Sequence, residues 1–176
     1  MGAPTDVEAV LLEMWALDVD DHLTRVFDAH HERLFRLARR LSGSHDDARD
    51  LVQETFVRVA RRPASLPVGH DSEQAWLIRT LVNLSRDRRR RAVVRVRHAA
   101  AHPPDAALGS PEAAYVSRMA VERALSELDA RRRAIVVLHE LEGESVKQIA
   151  LALGIAPVTV RWHLSRARRQ LCRVLS

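Results

Sequence analysis

Arginine carries most of the chemistry this sequence has to offer, and it is clustered. Arg88, Arg89, Arg90 and Arg91 stand in a row, with Trp76, Arg79, Asn83 and Arg86 just before them. A guanidinium run grips phosphate oxygens by charge and by its planar N–H fork. An indole beside an arginine and an amide makes a stacking surface for an unpaired base. Trp76 would serve equally well as a core anchor, and the residue types leave both roles open.

A second cluster lies near the C-terminus. Val158, Thr159, Arg161, Trp162, Ser165, Arg166 and Arg169 gather toward one side of a helical pattern. In a major groove, arginine forks onto guanine O6 and N7 and an apolar group meets the thymine methyl. Arg168 and Arg169, further along, suit phosphates. The alternative is a solvated basic face, with Trp162 covering a neighbouring helix. A third cluster has the opposite character. Asp46, Asp50, Gln53 and Glu54 lie away from an apolar stripe, and such a face either docks a basic partner helix or simply meets water.

Nothing catalytic assembles. No glycine-rich phosphate loop, HExxH helix or nucleophile elbow is present. His30 and His31 are neighbours in sequence, so on a helix they point apart. Cys172 is the single cysteine, which excludes a disulfide framework and a thiolate metal site. Neither an enzyme nor a cofactor or metal is expected.

Composition agrees with a polyanionic partner. The 176-residue chain has a formal net charge of +5, and Lys147 is its only lysine, so arginine supplies almost all of the positive charge. An arginine-biased codon usage would leave the same mark, which makes the clustering more informative than the total. Hydrophobic residues are 47% and charged residues 29%, enough for a core. Aromatics at 4% make that core aliphatic, and 6 Gly with 7 Pro argue against a turn-rich β chain. No apolar run reaches the ~18 residues of a membrane span. The N-terminus lacks the features of a signal peptide. A reducing, cytoplasmic setting is expected.

The elements that must position these clusters are helices. Met1 to His22 carries six acidic residues and no Lys or Arg. Thr5 and Glu8 have capping-box spacing, and Val7, Val10, Leu11, Met14 and Trp15 form one stripe, so this segment is either a short amphipathic helix or a frayed tail. Leu23, Phe27, Leu34, Leu37, Ala38 and Leu41 mark the next helix, closed by Gly43. Ser44 caps another, with Ala48, Leu51, Val52, Thr55, Phe56 and Val59 inward and Pro63 beyond its end. A third helix starts near Ser72, buries Leu77, Leu81 and Leu84, and leads into the arginine run.

The stretch "AAAHPPDAALGSPEAA" breaks any helix and separates two units. Beyond it Ala120, Leu125, Leu128, Ile135, Val136 and Leu138 give further helical segments. Ser145 and Gln148 then form a capping box, Gly154 supplies a left-handed stop, and Pro157 opens the last helix. On that helix Val160, Leu164, Ala167, Leu171 and Val174 make the inward stripe. The pair is a helix-turn-helix pattern. The expected fold class is therefore all-α. Two small helical domains, 23–92 and 118–176, are joined by a flexible linker, 93–117, and preceded by the acidic segment 1–22.

Two separated segments resemble one family. "SHDDARDLVQETFVRVARR…QAWLIRTLVNLSRDRRRR" is similar to region 2 of the extracytoplasmic-function (ECF) RNA polymerase sigma factors, a group within the sigma-70 family. "ALSELDARRRAIVVLHELEGESVKQIALALGIAPVTVRWHLSRARRQL" resembles their region 4, and the order and linker fit as well. The resemblance implies a chain that binds core RNA polymerase and directs initiation at promoters. Asp46, Asp50, Gln53 and Glu54 would meet the clamp helices of the largest subunit, and region 4 would meet the flap of the second-largest.

The loop from Arg62 to Asp71 and the helix after it would hold the −10 element as a single strand, through Trp76, Arg79, Asn83, Arg86, Arg88, Arg89 and Arg90. The C-terminal helix would read the −35 duplex, and an anti-sigma protein would restrain the chain. Two tethered readers gain avidity only at the correct spacing, so free chain is expected to bind promoter DNA weakly. The acidic N-terminal segment is longer than the family usually carries. Thr80, Val82, Ala156 and Trp162 also depart from its common residues, so the promoter sequence is left open. A duplex-binding dimeric regulator that acts without polymerase, or an adaptor whose basic patches only solvate, are the competing readings.

Overall fold

The computed structural model describes residues 6–42, 44–98 and 113–175. Every element among them is helical. The order is α1 (Asp6–Ser42), α2 (His45–Arg61), a 3-10 turn (Pro63–Ser65), α3 (His70–His98), α4 (Ala113–Ser126) and α5 (Ala130–Val136). A π turn (Val137–Leu141) extends α5, and α6 (Val146–Leu153) and α7 (Pro157–Leu175) follow. The expected caps at Thr5 and Gly43, and the linker core 99–112, lie outside the described residues. So do the side chains of the acidic segment through Asp20 and of Arg95 and Arg97.

Local sequence explains most boundaries. The Ser44 hydroxyl accepts from the Asp47 amide at 3.3 Å, Asp46 and Asp47 complement the α2 N-terminus, and the whole expected apolar face of α2 is buried. Ser145 and Gln148 form the full capping box of α6, with bonds of 3.2 and 2.9 Å. Gly154 ends α6 at φ 64°, a left-handed conformation that favours glycine. α7 then begins at Pro157, where the missing N–H has no intrahelical partner to lose.

Three expectations of local structure change. α1 is one unbroken helix of 37 residues that runs through the junction at His22–Leu23. Within it Val26 takes the inward position, while Phe27 is 39% exposed and stacks on His31 beside Phe56. On α7 the buried stripe holds for Val160, Leu164 and Ala167, but Val174 is 45% exposed, because the helix outlasts the surface it packs on. α3 starts at His70, slightly earlier than its sequence suggests.

The sequence does not fix how the two units sit together. The buried residues of α1–α3 and α4–α7 form one continuous cluster, from Val26 and Leu81 through Leu128 and Ile135 to Ile149 and Ala167. α3 is the shared element. Leu77, Leu81 and Leu84 are joined by buried Ile78 and Val82, so its apolar arc is broad enough to pack on α1 and α2 as well as on α5 and α6. A periodic stripe says that a face is covered, without saying which element covers it.

Candidate nucleic-acid interface

The outer face of α7 is built as the spacing predicts. Val160, Leu164 and Ala167 hold the helix against α5 and α6. That orientation leaves Val158, Arg161, Trp162, Ser165, Arg166 and Arg169 exposed and Thr159 half-buried. Trp162 is 51% exposed, so it does not cover a neighbouring helix. The Arg166 guanidinium lies 5.3 Å from its ring centroid, a cation–π contact one turn along the helix. His163 meets the same ring edge-on. Arg169 folds back to the Ser165 carbonyl at 3.3 Å. Arg168 pairs with Glu140 of the π turn at 2.7 Å.

The arginines of α3 have other employment. Arg79 donates from Nε to the Ala152 carbonyl at 2.9 Å and from Nη2 to the Leu151 carbonyl at 2.6 Å. These are last-turn carbonyls of α6, and that of Leu151 also accepts from the Gly154 amide at 3.3 Å. Its guanidinium rests on Gly154, where an added Cβ would sit 3.3 Å from Cζ. Arg89 likewise reaches the Ser126 carbonyl, which ends α4, at 2.6 Å and the Leu128 carbonyl in the turn beyond it at 3.1 Å. Arg86, Arg90 and Arg91 stay exposed, as does Asn83. Trp76 is half-buried and packs on the core, which favours its role as an anchor over base stacking.

Arg88 to Arg91 line one side of a cleft of about 1170 Å³, with Arg133 and the hydroxyl-bearing Ser42, Ser85 and Ser126. Arg133, from α5, is buried and bridges the two units. Its Nε donates to the Leu125 carbonyl at 2.7 Å and its Nη1 to the Leu41 carbonyl at 2.9 Å. Burial, and then the like charge of Arg89, lower its pKa to about 10, so it remains a cation at neutral pH.

The acidic face of α2 presents Asp46, Asp50 and Gln53 to solvent, with Glu54 half-buried. Arg88 turns back to it, 3.1 Å from Glu54 and 3.7 Å from Asp50. The structure thus joins residues that the sequence assigns to different partners. A partly exposed pair of this kind is worth ~1 kcal/mol or less, so a stronger partner can displace it. Beside Gln53 runs an open apolar groove of about 620 Å³ lined by Phe27, Phe35, Phe56 and Val57.

Several contributors have no signal in the sequence. Arg33 pairs with Glu144 and also donates to Gln74 at 3.1 Å, and Arg40 pairs with Glu142. These partners are far apart in the chain, and Glu142 and Glu144 are brought to α1 by the π turn before them. His30 is buried, stacked on His70 and 3.4 Å from Glu73. Val68, 93% exposed, stands on the loop between α2 and α3 just before Gly69, whose φ is 107°. No group of three or more metal-ligating side chains gathers among the described residues. No helix among them is long and apolar enough to cross a membrane.

Comparison with known proteins gives a consistent result. Residues 26–94 match the family Sigma-70 region 2, and residues 118–171 match Sigma-70, region 4. The chain is 40% identical over 151 residues to the ECF RNA polymerase sigma factor SigE of Mycolicibacterium smegmatis, covering 81% of this chain but 57% of that protein. It is 36% identical over 153 residues to the ECF RNA polymerase sigma factor SigM of Mycobacterium tuberculosis, covering 86% and 76%. Among solved structures it is similar to the sigma factor RpoE in complex with the anti-sigma factor NepR from Bartonella quintana, with TM-score 0.67 and 28% identity over 90% of this chain and 96% of that one. It is also similar to CnrH in complex with the cytosolic domain of CnrY, with TM-score 0.63 and 25% identity over 89% and 88%.

Proposed function

The chain belongs to the ECF RNA polymerase sigma factors of the sigma-70 family, and from that premise we propose that it binds core RNA polymerase and selects promoters through two separate readers. The observation that carries this reading is the presence of both family regions, in order, in one chain. Region 4 supplies the duplex reader. Its α7 offers Arg161 to guanine edges, with Val158 and Trp162 as apolar contacts to thymine methyls or sugar and Arg166 and Arg169 nearer the phosphates.

Region 2 supplies the single-strand reader. The loop carrying Val68 and the exposed side of α3, with Asn83, Arg86 and Arg90, take the −10 strand. Asp46, Asp50, Gln53 and Glu54 dock the clamp helices of the largest polymerase subunit, and the groove beside Gln53 accepts apolar side chains from the same partner. Region 4 meets the flap of the second-largest subunit. The chain works in the cytoplasm, where core polymerase and promoters are, and carries out no reaction of its own. An anti-sigma protein restrains it, in keeping with the complexes formed by the RpoE and CnrH neighbours.

The test is transcription. Purified chain is added to core polymerase with a template carrying the promoter upstream of its own gene. Start-site-specific RNA is expected, and its loss when Gln53 and Glu54 are both replaced by Ala, with the fold intact by circular dichroism. Tight, specific promoter binding without core polymerase, and no added transcription with it, would point instead to a conventional regulator.

A further inference from the structure

We propose that His30 is a positioning residue for the −10 strand: through Glu73 it fixes the loop that presents Val68, and with it the base preference of that loop. This rests on the reading of the loop as part of the single-strand reader. The loop, between α2 and α3, is tied at both ends. At its start Leu66 is buried, and its amide donates to the Pro63 carbonyl at 3.1 Å. At its end Glu73 clasps Gly69. Oε1 of Glu73 accepts from the Gly69 amide at 3.3 Å, and the Glu73 amide donates to the Gly69 carbonyl at 2.8 Å. Only Pro67 and Val68 arch between the two ties, and both are exposed. The second carboxylate oxygen of Glu73, Oε2, stands 3.4 Å from Nε2 of His30 on α1.

Gly69 needs such a clasp. Its φ is 107°, and a Cβ placed on it would meet nothing within 4 Å. Packing therefore does not hold its backbone, and glycine is the least restrained of residues. The clasp itself is a long side chain, whose rotamer freedom opposes any single placement. His30 supplies the fixed point. It is 2% exposed and stacked on His70 at 4.7 Å, so its ring has a set orientation. Burial holds its pKa below the ordinary value, and at neutral pH it carries one N–H. That proton must sit on Nε2 to donate to the carboxylate. A loop ordered before the strand arrives meets it without the cost of ordering.

The experiment uses the chain assembled with core polymerase, and two libraries of the promoter upstream of its own gene. One library is randomised in the −10 element and the other in the −35 element, and sequencing of the transcripts reports preference in each. The variants are His30→Phe, which keeps a stacked ring and loses the donor, Glu73→Ala, and the two combined. His30→Gln restores an N–H donor. His30→Phe and Glu73→Ala should each flatten the −10 preference by about two- to tenfold, the worth of one hydrogen bond. The −35 preference should stay as it is. The double variant should lose no more than either single one, since both break the same clasp. His30→Gln should keep more than half of the wild-type preference.

An unchanged −10 preference in His30→Phe overturns the inference. So do effects of His30→Phe and Glu73→Ala that add, because two independent packing defects would add. So does an equal loss in His30→Gln, because the donor would then be irrelevant. Should His30→Phe fail to fold, His30→Leu takes its place in the same cycle. Val68→Ser separates the two levels of the argument. If it too leaves the −10 preference unchanged, the reading of the loop as a strand contact fails and the inference falls with it. If Val68→Ser alters the preference and His30→Phe does not, the loop reading stands and the positioning role alone is lost.

Discussion

The two arginine-bearing helices of this chain carry similar side chains in opposite circumstances. On α7, Arg161 and Arg166 stand on the surface, the latter lying over Trp162. On α3, Arg79 and Arg89 are fastened to carbonyls of the other unit and Arg88 to carboxylates of α2. What a guanidinium does depends less on its number of donors than on what is already within reach of them. A helix C-terminus, which has carbonyls to spare, can hold an arginine within the protein, though less strongly than a phosphate does outside it.

That contrast can be broken in several ways. The largest effect is expected from the most inward arginine. Arg133→Ala removes a side-chain donor from the Leu41 and Leu125 carbonyls, the latter keeping the Leu128 amide at 3.2 Å, and chemical denaturation should show a loss of about 3 kcal/mol. A change near zero would mean that water replaces the guanidinium and the bridge is incidental. Arg161→Ala is the outward counterpart. It should weaken discrimination at one −35 position by about 1–3 kcal/mol and leave stability alone, as measured by promoter competition with polymerase holoenzyme. An unaltered preference would remove Arg161 from the reading face.

Ser145→Ala tests the frame that aims α7. Loss of the capping box should cost about 1 kcal/mol of stability, with promoter preference retained in what remains folded. Arg168→Ala is the smallest substitution effect, because its pair with Glu140 is exposed: under about 1 kcal/mol in the same denaturation assay.

Acid should affect both units in the same direction. Burial is the leading cause that holds His30, on α1, and His163, on α7, below the ordinary histidine pKa of 6.5. The unfolded chain therefore takes up protons near that pH before the folded chain does. Stability is whole above it and declines as pH falls through it. Urea midpoints at about pH 7.5 and about pH 5.5 should show the decline, and His30→Gln should lessen it.

The sequence was a good guide wherever the cause of structure is local. The caps at Ser44 and Ser145, the stop at Gly154, the start at Pro157 and the exposed face of α7 depend on residues within a turn or two of each other. The sequence leaves Trp162 open between base contact and helix cover, and its 51% exposure argues against the second role. The family resemblance likewise rests on contiguous runs. The packing of one unit on the other was not legible. Arg79 and Arg89 bind backbone carbonyls, which every residue has and no sequence advertises. Arg33–Glu144 and Arg40–Glu142 join charges with nothing between them in the chain to mark the pairing. Trp76 resisted for another reason: an indole beside an arginine satisfies two patterns, and packing alone chooses between them.

Gly154 acquires a second meaning from this arrangement. Its bare α-carbon lets the chain turn between α6 and α7, and it is also the floor on which the Arg79 guanidinium lies. A methyl group there would strain the turn and press on the arginine together. Selection for a tight turn and selection for contact between the two units would then be indistinguishable at this position, and one hydrogen atom would serve as the hinge pin of both.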